Sequence, residues 1–166
     1  MPTEKELDLA LARALANSRK FLLWFLGCTK FADRKVVVVS CRADNPWGTH
    51  PFPAKNAETG VTVGSRRQSE TDVLLILRTE SGDVLGVHIE NKIGSGRFTA
   101  DQPAMYWHRA KHWIGNPHYG GYSDFDTVLI APFAFLNQNS DQVEHFGSFI
   151  SHEEIADHIP LFGESC

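Results

Sequence analysis

Apolar residues recur along this chain with two different periods, and each change of period marks a change of element. Leu7, Leu11, Leu15, Leu22 and Phe25 follow at roughly helical spacing after Thr3-Glu4-Lys5-Glu6, in which Thr3 and Glu6 form a capping-box pattern. One long helix over 3–26 is predicted, stopped by Gly27, with its apolar stripe covering a core. The β-branched run over 35–41 has the composition of a buried strand. Residues 43–68 carry Pro46, Pro51, Pro53, Gly48, Gly60 and Gly64, and predict a long irregular region around one brief extended piece at 61–63. Two apolar runs, 72–78 and 84–93, then read as strands joined by a tight hairpin. Thr99 is expected to cap a helix running to about residue 114, with Pro103 tolerated in its first turn. Extended runs at 125–131 and 145–150 follow, and Ser151 with Glu154 caps a closing helix to about residue 159. Helix, strand, hairpin, helix, strand, strand, helix predicts one α/β domain over 1–166, a mixed central sheet flanked by helices.

The hairpin holds residues that apolar strands ordinarily exclude. Asp72 opens its first strand, and Glu90 and Lys92 lie on its second, two apart and therefore on one face. A three-residue loop, Glu80-Ser81-Gly82, with Gly82 supplying positive φ, pairs Thr79 with Asp83 and sets Asp72 opposite Glu90. A four-residue loop would pair Asp72 with Asn91 instead and turn it to the other face. The glycine at the third loop position favours the first register. Two carboxylates facing each other repel and are costly to desolvate, and a hard divalent cation held by oxygens resolves that conflict. Lys92 would then lie beside the metal, where it orients water or stabilises charge on a phosphate. The pattern suggests metal-assisted hydrolysis of a phosphodiester.

At these residues the chain resembles the PD-(D/E)XK nuclease superfamily, whose core carries Asp…Glu-x-Lys on adjacent strands. The phrase Ile89-Glu90-Asn91-Lys92-Ile93, with Gln102 and Tyr106 four apart downstream, is similar to the branch reading I-E-N-K-I…Q-x-x-x-Y. The close resemblance spans about forty residues. It implies a restriction-endonuclease-like core (αβββαβ), here with an added C-terminal strand and helix. It further implies Mg²⁺, with Mn²⁺ as a substitute, bound by Asp72, Glu90 and the backbone carbonyl of Asn91, and catalysis by Asp72, Glu90, Lys92 and Gln102. Thr71 stands where the family name has proline. Glu6 and Glu70 are the candidates for the acid that some relatives carry on the first helix.

Charge changes the picture in one respect. The 166 residues have a formal net charge of −4, yet no Lys or Arg follows Lys111, and 8 of the 20 acids lie beyond it. The first 111 residues therefore hold 16 basic against 12 acidic side chains. Positive charge gathers with the candidate site, as an anionic substrate requires, although a solvated acidic surface explains the tail equally well. Arg67, Arg97, Tyr106 and Arg109 are the expected substrate-binding residues. Arg97 sits in the open Gly94-Ser95-Gly96-Arg97-Phe98 loop, and Trp47, His50, Phe52, Arg66 and Arg67 form either a substrate wall or ordinary loop packing.

Three widely spaced cysteines, Cys28, Cys41 and Cys166, form no CxxC pair and indicate neither a disulfide framework nor a thiolate zinc site. No apolar run is long enough to span a membrane, and the start of the chain lacks a signal pattern, so a cytoplasmic protein is expected. His108 and His112 stand four apart on the predicted helix without the glutamate of an HExxH site, and exposed or core-edge histidines are the default reading. The function expected is a metal-dependent nuclease, DNA favoured over RNA. Lacking a sequence-reading domain, it would be weakly selective, a homodimer, or directed by a targeting partner. The alternative is a catalytically lapsed module on the same fold that binds nucleic acid or a protein.

Overall fold

A computed structural model of the chain describes residues 1–165. Its first surprise is Ser18. Helix α1 (Glu4–Asn17) opens with the Thr3/Glu6 capping box and buries Leu7, Asp8, Leu11, Ala12 and Leu15. Ser18 then adopts an extended conformation, and its hydroxyl accepts from Phe21 N–H to start α2 (Arg19–Gly27), which buries Phe21, Leu22, Phe25 and Leu26. The single helix expected over 3–26 is thus two. A serine hydroxyl offers the backbone a local alternative to the helical bond, and here that alternative prevails.

The main sheet contains β1 (Val36–Arg42), β4 (Val73–Thr79), β5 (Val84–Asn91), β6 (Asp124–Ala131) and β7 (Ser148–Ser151), side by side in that order. The β1/β4 and β4/β5 pairs are antiparallel and the β5/β6 and β6/β7 pairs parallel, a mixed sheet in one α/β domain. On one face α1 and α2 pack over Val73, Leu75, Val87, Ile89, Val128 and Ile130. On the other, α3 (Gln102–His112) and the turn after it cover Leu74 and Ile76 with Trp113, Tyr119 and Tyr122. Coverage on both faces explains why β4 and β5 read as near-continuous apolar runs.

The β4/β5 turn takes the three-residue form. Thr79 N–H donates to Asp83 O at 2.9 Å, Gly82 has φ +92°, and the register runs from Arg78↔Val84 to Val73↔Ile89. One further step sets Asp72 opposite Glu90.

Residues 43–68 are mostly strand rather than one long irregular region. They hold β2 (Trp47–Lys55) and most of β3 (Thr62–Glu70), a two-stranded ribbon packed on α3. Pro51 and Pro53 mask this strand in the sequence. Being two apart, both lack their N–H on the same edge of β2, the one turned away from β3, where no ladder bond is lost. Three further boundaries differ from expectation. Helix α3 starts at Gln102, not Thr99: Asp101 holds the cap position with φ +62°, and Thr99 N–H donates to Gln102 Oε1. Short helices α4 (Phe133–Gln138) and α5 (Ser140–Val143) precede β7, whose strand begins only at Ser148. The capped closing helix, α6 (His152–Ala156), ends early. Among the described residues no helix is long and apolar enough to cross a membrane.

The ribbon is fastened to α3 at Gly48. Tyr119 stacks on buried Trp113 with centroids 3.5 Å apart, and its hydroxyl donates to Trp47 O at 2.8 Å. A Cβ on Gly48 would lie 2.3 Å from that hydroxyl oxygen. Gly48→Ala should therefore destabilise the fold by about 1–3 kcal/mol. Gly64→Ala, on the facing strand with open space around it, should stay within about 0.5 kcal/mol. Urea midpoints of the two variants check this; equal midpoints would refute the packing account.

Candidate active site

Glu90 lies on β5 with only 1% of its surface exposed, and three side chains meet its carboxylate. Lys92, two residues on and so on the same face, places Nζ 2.6 Å from Oε1. Gln102 Nε2 donates to Oε1 at 2.7 Å, and the Tyr106 hydroxyl donates to Oε2. Gln102 and Tyr106 reach one target because they are a helical turn apart on α3. Half-buried Asp72 completes the group: its Oδ2 accepts from Asn91 N–H at 2.9 Å and its Oδ1 from Asn45 Nδ2 at 3.3 Å. Its own N–H donates to the Tyr106 hydroxyl at 3.3 Å.

Burial and the neighbouring Glu90 and Asp8 charges push the Asp72 carboxyl up to about 9. Burial likewise raises Asp8 to about 6, against the pull of its hydrogen bond from Asn91. For Lys92 burial alone would lower the amine, but the Glu90 carboxylate beside it prevails and holds it above the ordinary lysine value. The site therefore has acid in excess of the cations that reach it, and Asp72 absorbs the difference by keeping its proton.

That donor set discriminates between metals. Among the described residues no three His, Cys, Asp or Glu side chains converge as a metal cluster. His108 packs edge-on against Phe52 and His112 is exposed, and among the described residues no further metal-ligating side chains gather about the pair. Two carboxylates with a backbone carbonyl and water suit a hard ion such as Mg²⁺, which is commonly held by one or two carboxylates and retains waters.

Asp72, Glu90, Lys92, Gln102 and Tyr106 thus come together. Asn91 makes contacts on both sides of β5. Its backbone faces Asp72, while its side chain lies on the opposite face, where Nδ2 donates to Asp8 Oδ1 at 3.2 Å and Oδ1 meets His152 Nε2 at 2.9 Å. Arg97 is exposed in its loop, and Arg67 is exposed on the ribbon with Nη2 3.8 Å from the Asp101 carboxylate. Two expected substrate contacts are corrected by burial. Tyr106 is fully enclosed, and Arg109 lies beneath the site with its guanidinium 4.0 Å from the Tyr106 ring centroid. Arg109 Nε donates to Thr71 Oγ1 at 3.0 Å and Nη1 to Ser69 Oγ at 2.6 Å, tying the lead into β4 to α3. Of the supposed substrate wall, His50 and Phe52 face α3 and are buried, and Arg66 stands on the ribbon's other face from Arg67.

Three residues at the site escaped the sequence reading. The acid that α1 brings is Asp8, 3% exposed; Glu6 instead caps Thr3, and Glu70 is exposed at the end of β3. Glu4, one turn before Asp8, accepts from Ile93 N–H at 3.2 Å. The signal was available: Glu4 and Asp8 fall within the stripe of Leu7, Leu11 and Leu15, where acids do not belong without a purpose. Asn45, at φ +54°, gave no comparable signal.

The chain matches no protein-family model, no curated protein and no solved structure.

Because the Asp72 carboxyl binds its proton more tightly in the folded state, its contribution favours the fold fully below the unfolded value and is lost as pH rises toward about 9. Asp72→Asn mimics the protonated form. In chelator, the variant should match the wild type near pH 4 and exceed it by at least about 1 kcal/mol at pH 8. Urea titrations across that range test this, and parallel stability curves would refute it.

Proposed function

We propose that this chain is a metal-dependent nuclease with a restriction-endonuclease-like core, hydrolysing phosphodiester bonds of nucleic acid, DNA in preference to RNA. The observation that carries the reading is the opposition of Asp72 and Glu90 across β4 and β5 with Lys92 against the same carboxylate. The surplus of acid there is what a divalent ion would neutralise. Asp72, Glu90 and the Asn91 carbonyl would hold Mg²⁺ or Mn²⁺, which supplies Lewis-acid polarisation of the phosphoryl group and a more acidic water. Gln102 and Tyr106 keep the Glu90 carboxylate in one orientation. Lys92, its pKa raised by Glu90, carries its charge at neutral pH, and so orients the attacking water and stabilises charge developing on the phosphate. Exposed Arg67 and Arg97 supply phosphate contacts that position a strand without reading its sequence. Selectivity would come from a second copy of the chain or a targeting partner.

One observation favours a second reading. Gln102, Tyr106 and Lys92 already satisfy both oxygens of Glu90, a cage that is complete without an ion. A lapsed module that binds nucleic acid or a protein would keep such a cage as structure.

Cleavage of a mixed DNA and RNA panel with Mg²⁺ or Mn²⁺ separates the two. Lys92→Ala and Glu90→Ala, confirmed as folded by circular dichroism, should each lose at least about a hundredfold in rate. Calorimetry should show divalent-ion binding that Glu90→Ala removes. If the wild type cuts nothing and binds no such ion, the lapsed module is the correct reading.

A further inference from the structure

Next to Asp72, at the same end of the sheet, lies a cavity of about 490 Å³. Asn45 forms the partition. Its Nδ2 donates to Asp72 Oδ1 at 3.3 Å, its Oδ1 accepts from Lys5 Nζ at 2.7 Å, and its own residue lines the cavity. Tyr119, pinned by its stack on Trp113 and its bond to Trp47 O, forms part of the lining. Trp47 stands on the wall with its side chain largely in solvent, 63% exposed, although the neighbouring Gly48 is buried. A flat indole left uncovered beside a cavity offers a stacking surface.

The remaining wall selects the occupant's chemistry. Arg42 and Asp44 form a two-pronged pair, Nε to Oδ1 and Nη2 to Oδ2, each at 3.1 Å, while Arg42 Nη1 points toward His118 O at 3.5 Å. A bare phosphate would be attracted by Arg42 but repelled by Asp44 at the same place. A nucleobase carries donors and acceptors side by side along its edge, and so suits a guanidinium and a carboxylate presented together.

We propose that this cavity is a nucleobase subsite. Trp47 stacks on the base of the nucleotide adjoining the scissile phosphate, and Arg42 and Asp44 meet the base's polar edge. This rests on the nuclease reading of Asp72 and Glu90 for its place in the reaction, though base binding itself does not. Asn45 then has a dual role as wall of the subsite and hydrogen-bond donor to Asp72, so that a seated base steadies the carboxylate next to the bond to be cut.

Two measurements test the proposal. In the first, deoxyguanosine monophosphate is titrated without metal while the Trp47 indole N–H resonance, assigned with Trp47→Ala, is followed by NMR. A saturable shift is expected that neither inorganic phosphate nor deoxyribose 5-phosphate produces. In the second, a substrate is scanned with one abasic residue at a time. A single position beside the cut should slow the wild type about five- to a hundredfold, and Trp47→Ala should slow the intact substrate comparably while ignoring the missing base. Cleavage with no Trp47 response and no position-dependent abasic effect overturns the subsite and leaves the nuclease reading intact. A shift produced equally by phosphate alone also overturns it. A base-dependent shift in a protein that cuts no nucleic acid keeps the subsite and removes the nuclease reading.

Discussion

A carboxylate withdrawn from water inside a sheet requires donors, and much of this molecule is arranged to provide them for Glu90. The demand is met by three side chains, Lys92 from its own strand and Gln102 and Tyr106 from α3. Because those two helical residues reach one acid, the start of α3 is held in both position and rotation. One turn further on, Arg109 meets the lead into β4. The helix that covers the sheet is thus held by polar contacts at its beginning and by Trp113, Tyr119 and Tyr122 at its end.

Arg109 also explains how so much polar material survives in the interior. Its Nε–H donates to Thr71, which can then donate to His88 Nδ1, leaving His88 Nε2–H to meet the Tyr122 hydroxyl, which donates to Ala110 O. Its Nη1–H begins a second line through Ser69 to His50. Both lines work only with neutral imidazoles, and burial together with the Arg109 charge drives the pKa of His88 and His50 down. Burial first, and one buried cation after it, thus disfavour the charged form of two histidines.

What the sequence disclosed and what it hid follow from how local each cause is. The register that opposes Asp72 to Glu90 depends on a turn only three residues long, and Gly82 announces it. Glu90, Lys92, Gln102 and Tyr106 share a site because of strand and helix periodicity, which is also local. The mixed sheet followed from counting elements. Less local causes were hidden. Ser18 breaks a helix whose apolar stripe runs straight through it. The β2/β3 ribbon carries prolines that read as loop until one knows which edge is free. Arg109 reads as a substrate contact because nothing nearby in sequence shows that Ser69 and Thr71 will enclose it. Glu4 and Asp8 were the legible omissions, acids inside an apolar stripe.

The side chain of Asn91 joins two parts of the chain that are made far apart in time. It meets Asp8 near the beginning, 83 residues earlier, and His152 near the end, 61 residues later. The strand pair bearing Asp72 and Glu90 could form by itself as soon as its hairpin emerges from the ribosome. Its support on the α1 face could not, since that needs residues beyond 150. A nascent chain would therefore carry Asp72 and Glu90 before it carries the full frame that holds the strand behind them.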